Sequence, residues 1–415
     1  MEPQARMTSA APHVGEPADS TAAAAGSSAS EVLDRALAIA RTWAGERAEA
    51  LVLSGSHASG EGVWCEWQGR RVTLSDLDVY AILPDEHAVG AARARARAAR
   101  EGLSARLLEI GLAAPLELGL LTRGGLSRQP AKPGTIELAR RGRVIAGDRD
   151  VLAVMPRWTP GDVSREELLL LLENRGFELL LAHPGVVSGD ALRRLRARHA
   201  LLKASADLAT VMALAHGELP EGTRGRIEWA RAHAFELLVA SLPLEQQRGA
   251  QGLGGLWDAA LAWRSGRVEA LAPAAGAAEW TAAARAWVSV WWAMHADAPR
   301  EPWARVLHVA SRAPMRRRAR QALLSVARQG ATAPLGSRLK RALSGTPQHR
   351  VNGSAAVLLL AAAASSASPA LPVGALRALR ALGVTGASDW APARQDVVRA
   401  WDLWLQDGQR TAEDA

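Results

Sequence analysis

Cysteine is almost absent: Cys65 stands alone among 415 residues. An internal disulfide and a multi-cysteine zinc site are therefore excluded, and the usage fits a reducing, cytoplasmic setting. The ten histidines are scattered without metal-ligand spacing. Lysine is nearly as scarce, with only Lys132, Lys203 and Lys340, so the other 47 basic residues are arginines. The formal charge of +8 would ordinarily suggest an anionic partner. In an alanine- and arginine-rich chain of this kind it is weak support for nucleic-acid binding, and nucleic acid is not expected as a partner. Long apolar runs are also missing. The N-terminus carries acidic Glu2 and no hydrophobic stretch of signal-peptide length. The longest uncharged stretch, Val351 to Leu376, holds only a short apolar core from Ala355 to Ala364, which reads as a buried helix and not a membrane span.

What is present divides into two unlike halves. Residues 1–29 are rich in Ala, Ser, Pro and Gly without hydrophobic period and read as a disordered tail. Ser28 and Glu31 have capping-box spacing, and Val32, Ala36, Ile39 and Ala40 recur at helical intervals up to Trp43. A strand at Ala50–Leu53 follows, then the tight turn Ser54-Gly55-Ser56, then β-prone residues around Gln68-Gly69 that predict an inserted hairpin. Further strands are expected at Leu74–Leu83, Pro115–Leu121 and Arg143–Ala146, with one helix over 87–110 between the first two. From about Val163 nearly every segment is Leu/Ala-rich with a 3.6-residue period, which predicts a helical bundle. No internal repeat of fixed length is found.

The chemistry-bearing residues lie in the first half. In Ser75-Asp76-Leu77-Asp78-Val79, strand alternation would set Asp76 and Asp78 on one face, their Cα atoms roughly 6.6 Å apart. Paired carboxylates repel unless a cation lies between them, and hard oxygen ligands select magnesium or manganese over zinc or copper. In Leu116-Glu117-Leu118-Gly119-Leu120, Glu117 points away from the apolar face. Beside the Asp76 strand it would complete a three-carboxylate cluster suited to two-metal displacement at phosphorus. Gly55 lets backbone N–H groups approach phosphate oxygens, and Ser56 adds a hydroxyl donor.

In this order the pieces resemble the polymerase β nucleotidyltransferase superfamily: Gly55-Ser56 after a strand, Asp76-Leu77-Asp78 between apolar residues, and Leu116-Glu117-Leu118 on a later strand. The run Gly55-Ser56-His57-Ala58-Ser59-Gly60-Glu61 looks like its small bacterial branch, and Gly142 to Gly147 looks like the strand that often closes that minimal domain. The resemblance covers about residues 30–150, with a longer gap than usual between Gly55 and Asp76 that is assigned to the hairpin. It implies an α+β nucleotidyltransferase core, a mixed β-sheet with flanking helices, over 30–150, followed by an all-α helical bundle over 151–415. It further implies transfer of a nucleoside monophosphate from a triphosphate, ATP being expected, to a hydroxyl or phosphate of a small-molecule or protein acceptor. Asp76, Asp78 and Glu117 would be the catalytic and metal residues, with Mg2+ or Mn2+ as the cofactor. Gly55, Ser56 and Ser75 would hold the phosphates. Lys203 would reach the triphosphate from the helical half, as a basic residue does in several relatives; its other reading is a surface pair with Asp207.

Other patterns have simpler explanations. Arg194 and His199 match the Arg-x4-6-His spacing of HEPN-type ribonucleases, a match that arginine-dense sequence produces easily. His57 sits beside the phosphate turn and reads as a surface-loop residue before it reads as a phosphate contact. Arg316, Arg317, Arg318 and Arg320 read as a solvated helix face before an RNA contact, and the tryptophans of the second half as core. The competing function is a catalytically silent, antitoxin-like binding or regulatory protein that keeps the fold without turnover.

Overall fold

The computed structural model describes residues 28–99, 102–266, 276–311, 347–364, 370–384 and 388–411. Helix α1 (Ala29–Ala44) opens with the expected capping box, the Glu31 N–H donating to Ser28 Oγ and the Ser28 N–H to Glu31 Oε2. It buries Val32, Ala36, Ala40 and Trp43. Strand β1 (Ala50–Ser54) is buried along its whole length because it lies inside the sheet. A single helical turn, α2 (Gly55–Ala58), leads to the predicted hairpin, β2 (Trp64–Trp67) and β3 (Arg70–Thr73). Its turn residues Gln68 and Gly69 both have positive φ, 50° and 70°, the backbone that a tight two-residue hairpin turn requires.

Strand β4 (Leu77–Leu83) starts three residues later than the sequence suggests, so Asp76 sits immediately before the strand and not within it. The single helix expected over 87–110 is two helices, α3 (Glu86–Ala98) and α4 (Leu103–Glu109). Gly102, at φ 66°, starts the second. Strand β5 (Leu116–Thr122) is followed by α5 (Arg123–Ser127), α6 (Pro133–Arg141) and β6 (Arg143–Gly147). The mixed sheet has the order β5-β4-β1-β6, with β1 antiparallel to both neighbours and β4 parallel to β5. Leu51, Leu53, Leu77, Val79 and Ala81 pack on one face with α1 and Leu107. Ala50, Val52 and Ile82 pack on the other with Leu126, Leu138, Val151 and Met155. Each such fully buried Val, Leu or Ile side chain contributes ~1.5–3 kcal/mol, which makes the sheet a rigid platform for the polar side chains at its end.

The second half consists of helices α7 (Arg165–Val186), α8 (Ala191–Ala215), α9 (Gly222–His233), α10 (Phe235–Ser241), α11 (Leu244–Arg264), α12 (Gly276–Met294), α13 (Pro302–Ser311), α14 (Pro347–Ala364), α15 (Val373–Ala381) and α16 (Trp390–Thr411). Among the described residues no strand follows β6, only one isolated bridge between Ala370 and Asp389. Four tryptophans are core residues with pinned indoles: Trp287 donates to the Leu172 carbonyl, Trp280 to that of Leu179, Trp257 to that of Ser205 and Trp390 to that of Leu358. No described helix is long and apolar enough to cross a membrane. The tail expected over 1–29, apart from its last two residues, and the cluster Arg316 to Arg320 lie outside the described residues.

The inserted hairpin does not stand apart from the molecule. Val63, Cys65, Val72 and Leu74 join the apolar core of the helical half, so the insertion fastens the two halves together beside the sheet's open end.

Candidate functional site

The end of the sheet is where the expected residues meet. Pairing sets Ser54 opposite Asp78, and Asp78 opposite Glu117, in one row across β1, β4 and β5. Adjacent strands lie ~4.8 Å apart, so the latter two acids are close neighbours. Gly55 follows at once, with φ 65°. A Cβ there would come within 2.3 Å of Asp78 Oδ2, so glycine is required both by the backbone and by the carboxylate beside it. On the same strand face Gly119 leaves room for the ring of Tyr80, which a Cβ would meet at 2.5 Å.

A cavity of about 320 Å³ lies between this row and the helical half, and Gly55, Ser56, Ser75, Asp76, Asp78, Glu117 and Lys203 all line it. Of the remaining wall the sequence points only to Lys203. From α8, His199, Lys203 and Asp207 project at intervals of four residues, one stripe of the helix. Helix α7 contributes Arg175 and Glu178, α9 contributes Arg226, and α6 contributes Glu137 and Arg141. Sequence signals for these were slight, since each is one charged residue among many on a helix. Only the four-residue spacing of His199, Lys203 and Asp207 could have marked a face.

The electrostatics are resolved residue by residue. Lys203 Nζ donates to Asp76 Oδ2 at 2.6 Å, and Asp207 is taken by Arg175 Nε at 2.6 Å, so the surface pair of Lys203 with Asp207, its other reading, does not form. Arg175 also holds Glu178, Arg226 holds Glu137 at 2.5 Å, and Arg141 holds Glu221 at 2.6 Å. Arg264 lies 4.0 Å from Glu61 Oε2 and donates to the Glu61 carbonyl. Glu61 in turn accepts from the Thr223 N–H at 2.9 Å and from its hydroxyl at 3.1 Å, capping α9 across the interface. Seven carboxylates line the cavity, those of Glu61, Asp76, Asp78, Glu117, Glu137, Glu178 and Asp207, against five cations, Arg141, Arg175, Lys203, Arg226 and Arg264. Asp78 and Glu117 are the two without an ion pair among the described residues.

Protonation follows this partition. For Asp76, burial would raise the pKa, but the charge and hydrogen bond of Lys203 outweigh it and hold the carboxyl below its usual range. Burial, then the charge of Asp76, pushes Asp78 up. Glu117, although open to solvent, is raised by the surrounding protein and then by Asp78 and Asp76. For Lys203, burial and Arg175 act to lower the pKa, yet Glu178 and Asp76 prevail and it is raised. Among the described residues no three His, Cys, Asp or Glu side chains form a ready metal cluster. The expected triad is therefore brought into one cavity but not closed as a ligand set, because the Lys203 ammonium has drawn off Asp76. The two remaining carboxylates do fit a divalent ion: they are hard oxygen donors, adjacent, mutually repelling and short of two positive charges.

Two polar residues near the turn have partners in the scaffold. Ser75 is buried; its Oγ accepts the Val63 N–H at 2.9 Å and its N–H donates to Thr73 Oγ1. His57 is buried and not a loop residue at the surface, with Nε2 3.2 Å from Thr73 Oγ1 and 3.3 Å from the Ser75 carbonyl. Since the Thr73 hydroxyl donates to the Val63 carbonyl, both groups facing His57 are acceptors, which assigns the proton to Nε2. His199 is likewise structural: Trp263 Nε1 donates to its Nδ1 at 3.1 Å, and burial followed by the charges of Lys203 and Arg264 brings its pKa down to about 3. Arg194 closes the turn between α7 and α8 by donating to the carbonyls of Ser188 and Gly189. The ribonuclease spacing thus corresponds to two residues with separate structural tasks. Comparison of the chain with protein-family models, curated proteins and solved structures yields no match.

Proposed function

We propose that this chain is a metal-dependent nucleotidyltransferase of the polymerase β type, moving a nucleoside monophosphate from a triphosphate, with ATP the expected donor, to a hydroxyl or phosphate on a small-molecule or protein acceptor. The observation that carries this reading is the cavity's charge: a deficit of two positive charges concentrated on Asp78 and Glu117, beside the Gly55-Ser56 turn. A chance match would scatter these residues, whereas Gly55, Ser56, Ser75, Asp76, Asp78 and Glu117 line one cavity and Lys203 faces them from α8.

In this reading Asp78 and Glu117 hold the divalent ion, with Asp76 joining them when Lys203 leaves it for the triphosphate. The ion would supply charge neutralisation at the phosphates and at the attacking oxygen. Gly55 and Ser56 orient the phosphates. The bond from acceptor oxygen to α-phosphorus forms as the bond from α-phosphorus to the bridging oxygen breaks, and pyrophosphate leaves. Glu117, beside Asp78 in the same row, takes the hydroxyl proton. The test is incubation with labelled ATP, CTP, GTP and UTP plus Mg2+ or Mn2+ against an acceptor panel. Pyrophosphate release with a labelled product is expected, and it should vanish in Asp78→Asn.

One observation favours a silent binding role instead, the ion pair of Lys203 with Asp76. A protein of that kind would bind nucleotide without releasing pyrophosphate under any acceptor, and the same assay separates the two.

A further inference from the structure

A second cavity of about 680 Å³ lies on the other side of Arg264, which lines both chambers. Its floor is the same helix: Arg194, Leu195 and Arg198 of α8 face it, one turn ahead of the residues that line the smaller cavity. Its opposite wall is the inserted hairpin, through Trp64, Cys65, Glu66 and Arg71. The volume is that of a drug-sized ligand site, about twice that of the smaller, net-negative chamber.

We infer that this chamber is the acceptor site, and that it takes an amphipathic anion: an apolar or aromatic body carrying a carboxylate or phosphate. The inference rests on the nucleotidyltransferase reading for its acceptor role only. Four arginines, at 71, 194, 198 and 264, line it against Glu66 and Glu279, so its balance is positive where its neighbour's is negative. Glu279 is committed to Arg198 at 3.3 Å. Two of the arginines lie against indoles, Arg71 with its guanidinium carbon 5.6 Å from the centre of Trp64 and Arg198 at 5.5 Å from that of Trp263. Guanidinium over indole gives a flat surface that accepts a ring, and a fork of donors that accepts carboxylate or phosphate. A cationic acceptor would meet a net positive lining, four arginines against two glutamates. The hairpin that lengthens the gap between Gly55 and Asp76 is thereby the element that selects the acceptor.

The probe is 8-anilinonaphthalene-1-sulfonate, an aromatic anion whose fluorescence rises on binding, titrated into the full chain, with dansylcadaverine as its cationic counterpart. Wild type should bind the sulfonate saturably at one site and more tightly than the amine. Arg71→Glu, at an exposed hairpin position, should weaken the sulfonate at least tenfold. Ala191→Trp, which fills the mouth from the exposed start of α8, should do the same, and neither should alter ATP binding by calorimetry more than twofold. Sulfonate affinity unchanged in either variant that keeps the wild-type melting temperature, or tighter binding of the amine, would overturn the inference. ATP that fails to bind wild type while the sulfonate behaves as expected removes the nucleotidyltransferase reading and leaves an anion site. ATP binding without sulfonate binding does the reverse.

Discussion

The pair formed by Lys203 and Asp76 joins the helical half to the end of the sheet, and a double-mutant cycle measures it directly. Two unit charges ~4 Å apart at an effective dielectric of about 20 attract by ~4 kcal/mol. The side chains are 26% and 28% exposed, and Arg175 repels Lys203, so the coupling expected after solvent screening is about 1–3 kcal/mol. Urea unfolding of wild type, Lys203→Met, Asp76→Asn and the double variant at pH 7 gives that coupling as the departure from additivity. Its pH window follows from the shifts. Asp76 is held below its usual range, so its contribution is complete above the unfolded pKa near ~4 and is lost as pH falls through the lower folded value. Lys203 is raised, so its contribution is complete below ~10.4 and is lost as pH rises through the folded value. A coupling under about 0.3 kcal/mol at pH 7 would refute the electrostatic account of the interface. Calorimetry on Lys203→Met gives the functional arm. A Kd for ATP weaker by tenfold or more is expected if the ammonium serves the triphosphate, and tighter ATP binding would show that it only blocks the site.

Asp78→Asn keeps the side chain's size and removes one of two repelling charges, so turnover should fall by several orders of magnitude while stability at pH 7 holds or rises. Because burial and Asp76 raise the pKa of Asp78, its ionised form penalises the fold above the folded pKa. The variant's advantage in urea should therefore shrink as pH falls towards about 4, and an advantage that grew on acidification would contradict the assignment. Gly55→Val should lose more than about 1 kcal/mol in thermal unfolding, since it strains a positive φ and strikes Asp78 Oδ2. It should also weaken ATP binding, and a folded variant with wild-type affinity would place the phosphates elsewhere. Gly176→Ala sets helix propensity, worth ~1 kcal/mol in favour of alanine, against a Cβ placed 2.6 Å from the buried Trp287 ring. Overpacking costs ~1–3 kcal/mol, so net destabilisation is expected in denaturant melts, and a stabilised variant would show that the ring can move.

Much of the first half was legible in the chain because its signals are local. The capping box at Ser28 and Glu31, the Gln68-Gly69 turn, the apolar alternation of β4 and the Gly55-Ser56 turn after β1 each depend on neighbours a few residues away. The helical period from Val163 onward is of the same kind. What the chain could not disclose is how charges pair across 127 residues of separation, as in Lys203 with Asp76, or across 32, as in Arg175 with Asp207. Periodicity assigns a residue to a face but does not say which face it will meet. Only the tertiary structure turned Lys203 from Asp207 to Asp76, buried His57 behind the hairpin, committed Ser75 to Val63 and left Asp78 and Glu117 as the two uncompensated acids. The reason is physical: the positions of these residues are set by short-range backbone preferences, whereas their charge states are set by burial and by partners that only packing brings within contact distance.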